Sequence, residues 1–273
     1  AKGNFDELVV VAASRDFLTV GLFIFALIMF LQFVRLGQLK LPQRGYLEPS
    51  ITPMMSLLLC FAMIFLGAVG AFIGKNFGEL DSIEQLAWMY TFSMCFQLPI
   101  VFAYIALRKR CGSRHILPTA TVTFFVFVPA THVLAGLAHF LFVKIGLETN
   151  SALGHSTLAT MSNEPLDTYM WAIILSVTLG AGVIEEIMYR GLILPSLTTV
   201  IGGRSMWAAI MITSGIFALM HLGAAQPSAL IGLFVLSIGL CWARIKSGGV
   251  LTPIIIHVIF NAMNIAFVYS MDI

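Results

Sequence analysis

Two adjacent carboxylates, Glu185 and Glu186, lie in one of the most apolar stretches of the sequence, with Arg190 four residues after Glu186. An ionised carboxylate at membrane depth is costly and almost always faces protein or a water-filled cavity. In a helix, Glu186 and Arg190 share a face, which makes Arg190 the natural partner of Glu186. Glu185 points about 100° away around the helix. The spacing therefore predicts a structural ion pair at Glu186 and a free carboxylate at Glu185, where it could act as a general base.

Two later apolar stretches carry further groups that could serve the same chemistry. The segment FALMH places Phe217 and His221 four residues apart, and HVIFN does the same for His257 and Asn261. On a helix each pair would occupy one face and could point to a common place inside a bundle. Imidazole can accept a proton, donate one or bind a metal. The asparagine amide can stabilise a developing oxyanion.

Each of these patterns also has a purely structural explanation. An ion pair at this spacing can simply stabilise a helix, and a histidine in a membrane helix is often a satisfied hydrogen-bonding group. We apply that explanation to His132 and His139, and we place His115 and His155 in loops. A catalytic site is favoured by the order of the motifs, because E-E-x-x-x-R, F-x-x-x-H and H-x-x-x-N fall in three successive hydrophobic regions.

The elements that must position these groups are membrane helices. Of the 273 residues, 59% are hydrophobic and 10% are charged, whereas soluble domains carry about 25% charged residues. So little charge cannot cover a globular surface in water. The sequence has no basic stripe or arginine-rich tail, so we expect no nucleic-acid partner. Membrane lipid is the expected surrounding.

Eight apolar stretches predict the spans of the bundle. They are residues 17–33, 53–73, 86–107, 121–143, 169–194, 206–221, 228–242 and 250–269. A helix needs about 20 apolar residues to cross the bilayer core, and these runs are too long and continuous for barrel strands. We therefore predict an all-α polytopic membrane helix bundle with about eight transmembrane helices. The sixth and seventh stretches are short and could merge, tilt or be partly re-entrant.

Lysine and arginine collect in alternate loops, which predicts that those loops are cytoplasmic and that both termini lie outside. The basic residues in these loops are Arg35, Lys40, Arg44, Arg108, Lys109, Arg110, Arg114, Arg190, Arg204, Arg244 and Lys246. This orientation puts Glu185 and His257 in the cytoplasmic half and His221 at the far end of the sixth stretch. If the three groups meet, that stretch must tilt or end early. The polar loop of residues 146–167 could be a cap or a plain connector.

The three motifs resemble the CPBP family, the CAAX proteases and bacteriocin-processing enzymes, also called the Abi or type II CAAX prenyl endopeptidase family. The resemblance is carried by EEIMYRG, FALMH and HVIFNAMN, and by SGGVLTPIIIHVIFN as the lead into the last motif. It covers roughly residues 170–265. We accordingly divide one integral membrane domain into residues 1–168, without signature, and residues 169–273, a catalytic core.

The resemblance implies an eight-helix intramembrane protease in the cell (inner) membrane. By motif, Glu185 and His221 would activate a water molecule. His257 and Asn261 would stabilise the oxyanion of the tetrahedral intermediate. The implied partner is a membrane-anchored or lipidated peptide or protein, with the lipid or apolar segment held by the bundle.

The resemblance gives Glu186, Arg190 and Phe217 supporting roles. Glu186 would pair with Arg190 and hold the motif helix in place, and Phe217 would line the cavity wall. We expect no metal cofactor, because the helix-borne zinc motif H-E-x-x-H is absent. The alternative is zinc held by Glu185, His221 and His257, with a water in the fourth position.

Two further functions stay open from the sequence. A family member could serve in bacteriocin immunity or bind a partner without proteolysis, although the expected catalytic positions are all occupied here. Glu185 and His221 could also carry protons in a transporter, since paired Glu and His groups at membrane depth suit a proton relay. No internal repeat is evident in the sequence to support a transporter built from inverted repeats.

Overall fold

The structure, a computed structural model, describes residues 20–41, 51–108, 115–148, 154–162, 164–202 and 205–270. Within these ranges the chain forms nine helices and no strand. They are α1 (Val20–Arg35), α2 (Pro53–Gly74), α3 (Ile83–Leu107), α4 (Ile116–Lys144), α5 (Ser156–Met161), α6 (Thr168–Val200), α7 (Met206–Leu219), α8 (Pro227–Ser247) and α9 (Leu251–Ser270). The predicted all-α membrane bundle is confirmed.

Six of the helices are long and apolar enough to cross a membrane, and α1 and α7 are shorter apolar helices. Together these eight match the eight predicted stretches. The basic residues Arg44, Lys109, Arg110, Arg114 and Arg204 lie outside the described residues, as do residues 17–19 of the first stretch. The orientation of the bundle stays a prediction.

The sixth predicted span is wrong at its C-terminal end. Helix α7 has 14 residues, which is about 21 Å at 1.5 Å per residue and less than the ~30 Å of a bilayer core. It ends at Leu219, so His221 lies in the turn before α8. His221 therefore does not share a helical face with Phe217, as the spacing of FALMH had predicted. The stretch ends early, which is one of the two arrangements that the sequence left open.

Local sequence fixes the ends of the helices that carry the motifs. Asp167 begins α6, where its side chain accepts a hydrogen bond of 2.8 Å from the backbone of Met170. Ser205 begins α7 in the same way through the backbone of Ala208. Gly248 ends α8 in the left-handed conformation, with φ of 75°, a conformation that glycine adopts without steric cost.

Helices α6 and α8 form the centre of the bundle. In their most apolar windows 56% of the residues are buried within the protein, compared with 11% in α3. Helix α8 packs against α4 and α7, while α6 packs against α2, α3 and α9. The motif-bearing helices are therefore surrounded by protein, where charged groups can find partners away from lipid.

Helix α6 is not a regular α-helix. Two π-helical segments, Ser176–Gly180 and Ile187–Ile193, flank the α-helical segment Ala181–Glu186 that carries the two carboxylates. Such segments are rare and occur frequently at functional sites. A methyl group placed on Gly182 would lie 2.7 Å from Cγ2 of Val258 on α9. The glycine thus lets α6 and α9 approach closely beside the carboxylates.

Candidate active site

Glu186 is fully buried and joins α6 to α9. Its Oε1 accepts hydrogen bonds from Nη1 of Arg190 at 2.7 Å and from Nδ1 of His257 at 2.8 Å. Because an ionised carboxylate can only accept, Nδ1 of His257 carries a proton. The structure thus contains the ion pair expected from the sequence and adds His257 to it. The second contact could not be inferred from spacing, because the two residues lie on different helices.

Arg190 extends the same network to α8. Its side chain is fully buried, and Nη2 donates to Oγ of Ser237 at 2.7 Å and to the Ser237 carbonyl at 3.2 Å. The guanidinium carbon also lies 4.8 Å from the centre of the Phe217 ring, within the range of a cation–π contact. A buried charge requires such pairing. Glu186 and Arg190 therefore connect α6, α8 and α9 through bonded charges.

Glu185 is placed differently from its neighbour. Its side chain is partly buried, and within the described part of the chain its Oε2 has no hydrogen-bond partner although it is shielded from solvent. Leaving a buried polar atom without a partner costs free energy, and such exceptions in a folded protein call for an explanation. Oε2 of Glu186 is also buried without a partner, so the two carboxylates differ in their pairing: Oε1 of Glu186 has two donors, whereas Glu185 forms no ion pair among the described residues.

Phe217 separates the two histidines of the motifs. Its ring is fully buried, with its centre 4.9 Å from that of the His221 ring and 6.1 Å from that of the His257 ring. Nδ1 of His221 lies 2.8 Å from the backbone carbonyl oxygen of Phe217. A carbonyl can only accept, so Nδ1 carries the proton of the neutral ring and Nε2 keeps its lone pair. His221 is therefore prepared to accept a proton at Nε2.

Asn261 lies one turn after His257 on α9 and also faces α6. Its Nδ2 donates a 2.9 Å hydrogen bond to the carbonyl of Val177 in the first π-helical segment. An amide nitrogen carries two hydrogens, so one donor is used here and one remains. The HVIFN spacing thus places both polar groups of this motif against the helix that carries the carboxylates.

The sequence did not predict that His155 lies at the candidate site. We had placed it in a loop, and the structure brings its ring to 6.3 Å from the ring of His221, centre to centre. The adjacent backbone pairs with the turn that carries His221, because Ser156 donates to the Ala224 carbonyl at 2.9 Å and Gln226 donates to the Gly154 carbonyl at 2.8 Å. No periodicity marks this loop residue, so spacing alone could not have found it.

Two of the three remaining histidines, His132 and His139, have structural partners. His132 stacks on Phe260 with ring centres 5.7 Å apart. Nδ1 of His139 lies 2.7 Å from Oε2 of Glu148. His115 precedes α4. These positions fit the structural explanation that the sequence favoured for His132 and His139.

The described residues contain no group of three or more His, Cys, Asp or Glu side chains placed to hold a metal ion. The alternative zinc set of Glu185, His221 and His257 is thus not gathered as a ligand group in this part of the chain. Nδ1 of His221 and Nδ1 of His257 each donate to a protein oxygen, which leaves Nε2 of each ring for other contacts. We therefore assign no step to a metal, and the expectation of a metal-free enzyme stays a prediction.

Comparison with known proteins gives a family match over the same helices. The family model described as type II CAAX prenyl endopeptidase Rce1-like matches residues 167–263, from the start of α6 into the second half of α9. This part of the chain matches the Rce1-like CAAX protease family, and the resemblance to the CAAX proteases is confirmed. No curated protein and no solved structure matches the chain.

The match and the helices together define a class of protein. The chain is an integral multi-pass membrane protein whose C-terminal helices carry the domain of an intramembrane peptidase family. The matched family is one of endopeptidases, which act on peptide bonds.

Proposed function

We propose that the chain is an intramembrane endopeptidase of the glutamate type, which hydrolyses a peptide bond in a membrane-anchored or lipidated substrate. The division of the two adjacent carboxylates carries this proposal. Each carboxylate keeps an unbonded Oε2, but Glu186 is paired with Arg190 and His257 through Oε1, whereas Glu185 forms no ion pair among the described residues. A shielded carboxylate that is not held in a direct ion pair is suited to take a proton from water.

The water molecule is activated by Glu185 together with Nε2 of His221. The Nδ1–H bond from His221 to the Phe217 carbonyl supports this role, because it leaves Nε2 with a lone pair. The water loses a proton to this pair, and its oxygen attacks the carbonyl carbon of the scissile peptide. When the C–N bond breaks, the same proton passes to the leaving amine, so that the enzyme returns to its starting state.

The oxyanion of the tetrahedral intermediate is stabilised by His257 and Asn261. In this role His257 donates Nδ1–H to Glu186 and Nε2–H to the oxyanion, which requires both ring nitrogens to carry a proton. Asn261 supplies the amide hydrogen that is not bonded to the Val177 carbonyl. Removing one donor from an oxyanion site typically costs a factor of about 100 to 1,000 in kcat.

The substrate is a peptide whose lipid or apolar segment shares the bilayer with the bundle. The family match supports a peptide substrate, and the apolar helices around the site support a membrane-embedded one. Binding energy from such an apolar segment can hold the scissile bond near the polar groups. Proton transport and partner binding without proteolysis would both leave a peptide intact, so hydrolysis separates them from this proposal.

The test uses purified protein in detergent with a fluorogenic farnesylated CAAX-type peptide and its unprenylated form. We expect Glu185→Ala and His221→Ala each to lower kcat about 100-fold to 10,000-fold without lowering the thermal unfolding midpoint. The matched control is His132→Ala, which removes the histidine stacked on Phe260. Full hydrolysis by Glu185→Ala would contradict the mechanism. Activity lost on exhaustive chelation and restored by zinc would favour the zinc-dependent version.

The natural substrate can be sought in cells. Membrane proteomes of cells that express the wild type or Glu185→Ala are compared for new protein termini. We expect at least one new terminus that requires Glu185. Equal sets of termini would argue for a function without proteolysis.

A further inference from the structure

We propose that His155 is a positioning residue for His221, carried by a strap of residues 154–162 that the bundle holds in place. This inference rests on the proposed function, in which His221 and Glu185 together take a proton from the attacking water. The strap lies before residue 167, where the family match begins.

The backbone of the strap is hydrogen-bonded to the turn between α7 and α8. Ser156 donates to the Ala224 carbonyl at 2.9 Å, and Gln226 donates to the Gly154 carbonyl at 2.8 Å. These two bonds straddle His155, which forms an antiparallel bridge with Ala225. Since His221 begins the same turn, the strap restricts the backbone from which its ring projects.

The strap is itself anchored on the bundle through α5. The hydroxyl groups of Tyr90 on α3 and Thr157 on α5 lie 3.0 Å apart, within hydrogen-bonding distance. Met161 at the end of α5 is 1% exposed and packs in a cluster with Met170 and Ile265. The strap is thus held by α3, α6 and α9, and it can transmit that support to the turn.

The side chain of His155 faces His221 in a defined protonation state. Its Nδ1 accepts a 3.2 Å hydrogen bond from the backbone N–H of Thr157, so the proton of the neutral ring is on Nε2. The rings of His155 and His221 meet edge to face at 68°, with centres 6.3 Å apart. Phe217 contacts His221 at 4.9 Å. The His221 ring therefore has two aromatic neighbours, Phe217 from α7 and His155 from the strap.

His155 stays uncharged when it supports His221 near neutral pH. Burial lowers the pKa of His155 below its usual value, and the charge that His221 carries when protonated lowers the pKa further. A neutral ring can pack against His221 without repelling the proton that it takes from water. Its expected contribution is geometric, and a small misplacement of a catalytic group is sufficient to reduce kcat.

Two substitutions separate the ring of His155 from its backbone contact. His155→Asn keeps a side-chain acceptor for the Thr157 N–H but removes the ring next to His221. His155→Phe keeps a ring and removes the acceptor. We expect His155→Asn to lower kcat about 10-fold with unchanged KM and unchanged thermal midpoint. We expect His155→Phe to keep more of the wild-type kcat and to unfold at a lower temperature.

A matched control on the same strap is Thr157→Val. It removes the hydroxyl contact with Tyr90 but leaves the His155 ring in place, so we expect a smaller loss of kcat than in His155→Asn. A His155→Asn protein with wild-type kcat would overturn the inference. So would a Thr157→Val protein that loses as much kcat as His155→Asn, because general anchoring of the strap would then explain the effect.

A second measurement does not depend on peptidase activity. Diethyl pyrocarbonate modifies neutral imidazoles, and peptide mass spectrometry gives the rate at His221 alone. We expect several-fold faster modification in His155→Asn, because the strap ring no longer covers one side of His221. Equal rates would overturn the contact. If the wild type hydrolyses no peptide, the proposed function fails, and the modification rate alone then decides whether His155 covers His221.

Discussion

The two histidines on either side of Phe217 are held in opposite ways. His257 lies within α9, is 4% exposed, and donates to a carboxylate that Arg190 also binds. His221 lies in a turn, is half-buried, and donates to a backbone carbonyl. The first is part of a buried network of charges across three helices. The second depends on a short turn and on a loop that reaches it from before α6.

This difference suggests how the site divides its work. Stabilising an oxyanion requires donors fixed before the reaction, and a buried charged network provides that rigidity. Accepting and returning a proton requires a group that water and substrate can reach. The half-buried turn provides this access, at the expense of support that the strap must supply. We call the surroundings of His257 the rigid side and the surroundings of His221 the turn side. The following substitutions act on one of these two sides.

The largest effect should come from Glu186→Ala, on the rigid side. The change leaves Arg190 buried beside Ser237 without its carboxylate, and breaking a buried pair typically costs about 3–5 kcal/mol. We expect a reduced yield of folded protein and a much lower thermal midpoint in detergent. Glu84→Ala, which removes an exposed contact with the Tyr169 hydroxyl, is the control. A wild-type midpoint in Glu186→Ala would mean that the network does not stabilise the bundle.

The two histidines should differ when each is replaced by phenylalanine. His257→Phe removes a hydrogen bond to a charged, buried oxygen, so we expect a loss of about 1.5–3 kcal/mol in stability together with loss of peptide hydrolysis. His221→Phe should lose hydrolysis while its thermal midpoint stays near that of the wild type. Thermal scans and peptide assays on the same preparations test this. Equal losses of stability in both would remove the proposed distinction.

A pair of glycines tests the packing on each side. Gly182→Ala would push a methyl group against Val258 beside the network, and overpacking of this kind costs about 1–3 kcal/mol. Gly215 lies on α7, and a methyl group there would meet nothing within 4 Å. We expect Gly215→Ala to gain up to about 1 kcal/mol, because alanine is the better helix former. Chemical denaturation in micelles compares the two, and a stable Gly182→Ala would contradict the close approach.

The smallest effect should come from Glu148, near the turn side. Its carboxylate accepts from the backbone N–H and the hydroxyl of Ser228, and it contacts His139. Burial by itself would raise the pKa of Glu148, but the hydrogen bonds from Ser228 and His139 outweigh it and hold the pKa below its usual value. At neutral pH we expect Glu148→Gln to be less stable by about 1 kcal/mol.

The pH dependence of that difference has a definite sign. A carboxylate with a lowered pKa in the folded state stabilises the protein fully above its unfolded pKa of about 4.3. This stabilisation disappears as the pH falls through the lowered folded value. Unfolding of both proteins is therefore compared between neutral pH and strongly acidic pH. A gap that stays constant over this range would show that the charge of Glu148 does not contribute.

The rigid side was largely readable from the sequence. Continuous apolar runs predicted the helices, because a membrane helix must be apolar along its whole length. The spacing of Glu186 and Arg190 predicted their pairing, since neighbours on one helix follow from its period. Contacts between helices had no such rule. The bond between His257 and Glu186 and that between Asn261 and Val177 required the packing of α9 on α6.

The turn side, with His221 and the strap that carries His155, was harder to predict from the sequence. The end of α7 at Leu219 has no strong stop signal before the glycine at position 223, so the periodic reading ran on to His221. The approach of His155 depends on backbone pairing between two irregular segments, where side-chain periodicity carries no information. The π-helical segments of α6 were also not predicted, because the hydrophobic pattern does not distinguish them from α-helix.

Helices α6 and α7 are neighbours of very different length. The 33 residues of α6 extend roughly 50 Å at 1.5 Å per residue, which exceeds a hydrocarbon core of about 30 Å. The 14 residues of α7 fall short of it. The long helix must tilt or project from the bilayer, while the short one favours locally thinner lipid. We therefore expect the acyl-chain length of the surrounding lipid to affect the position of the turn that carries His221.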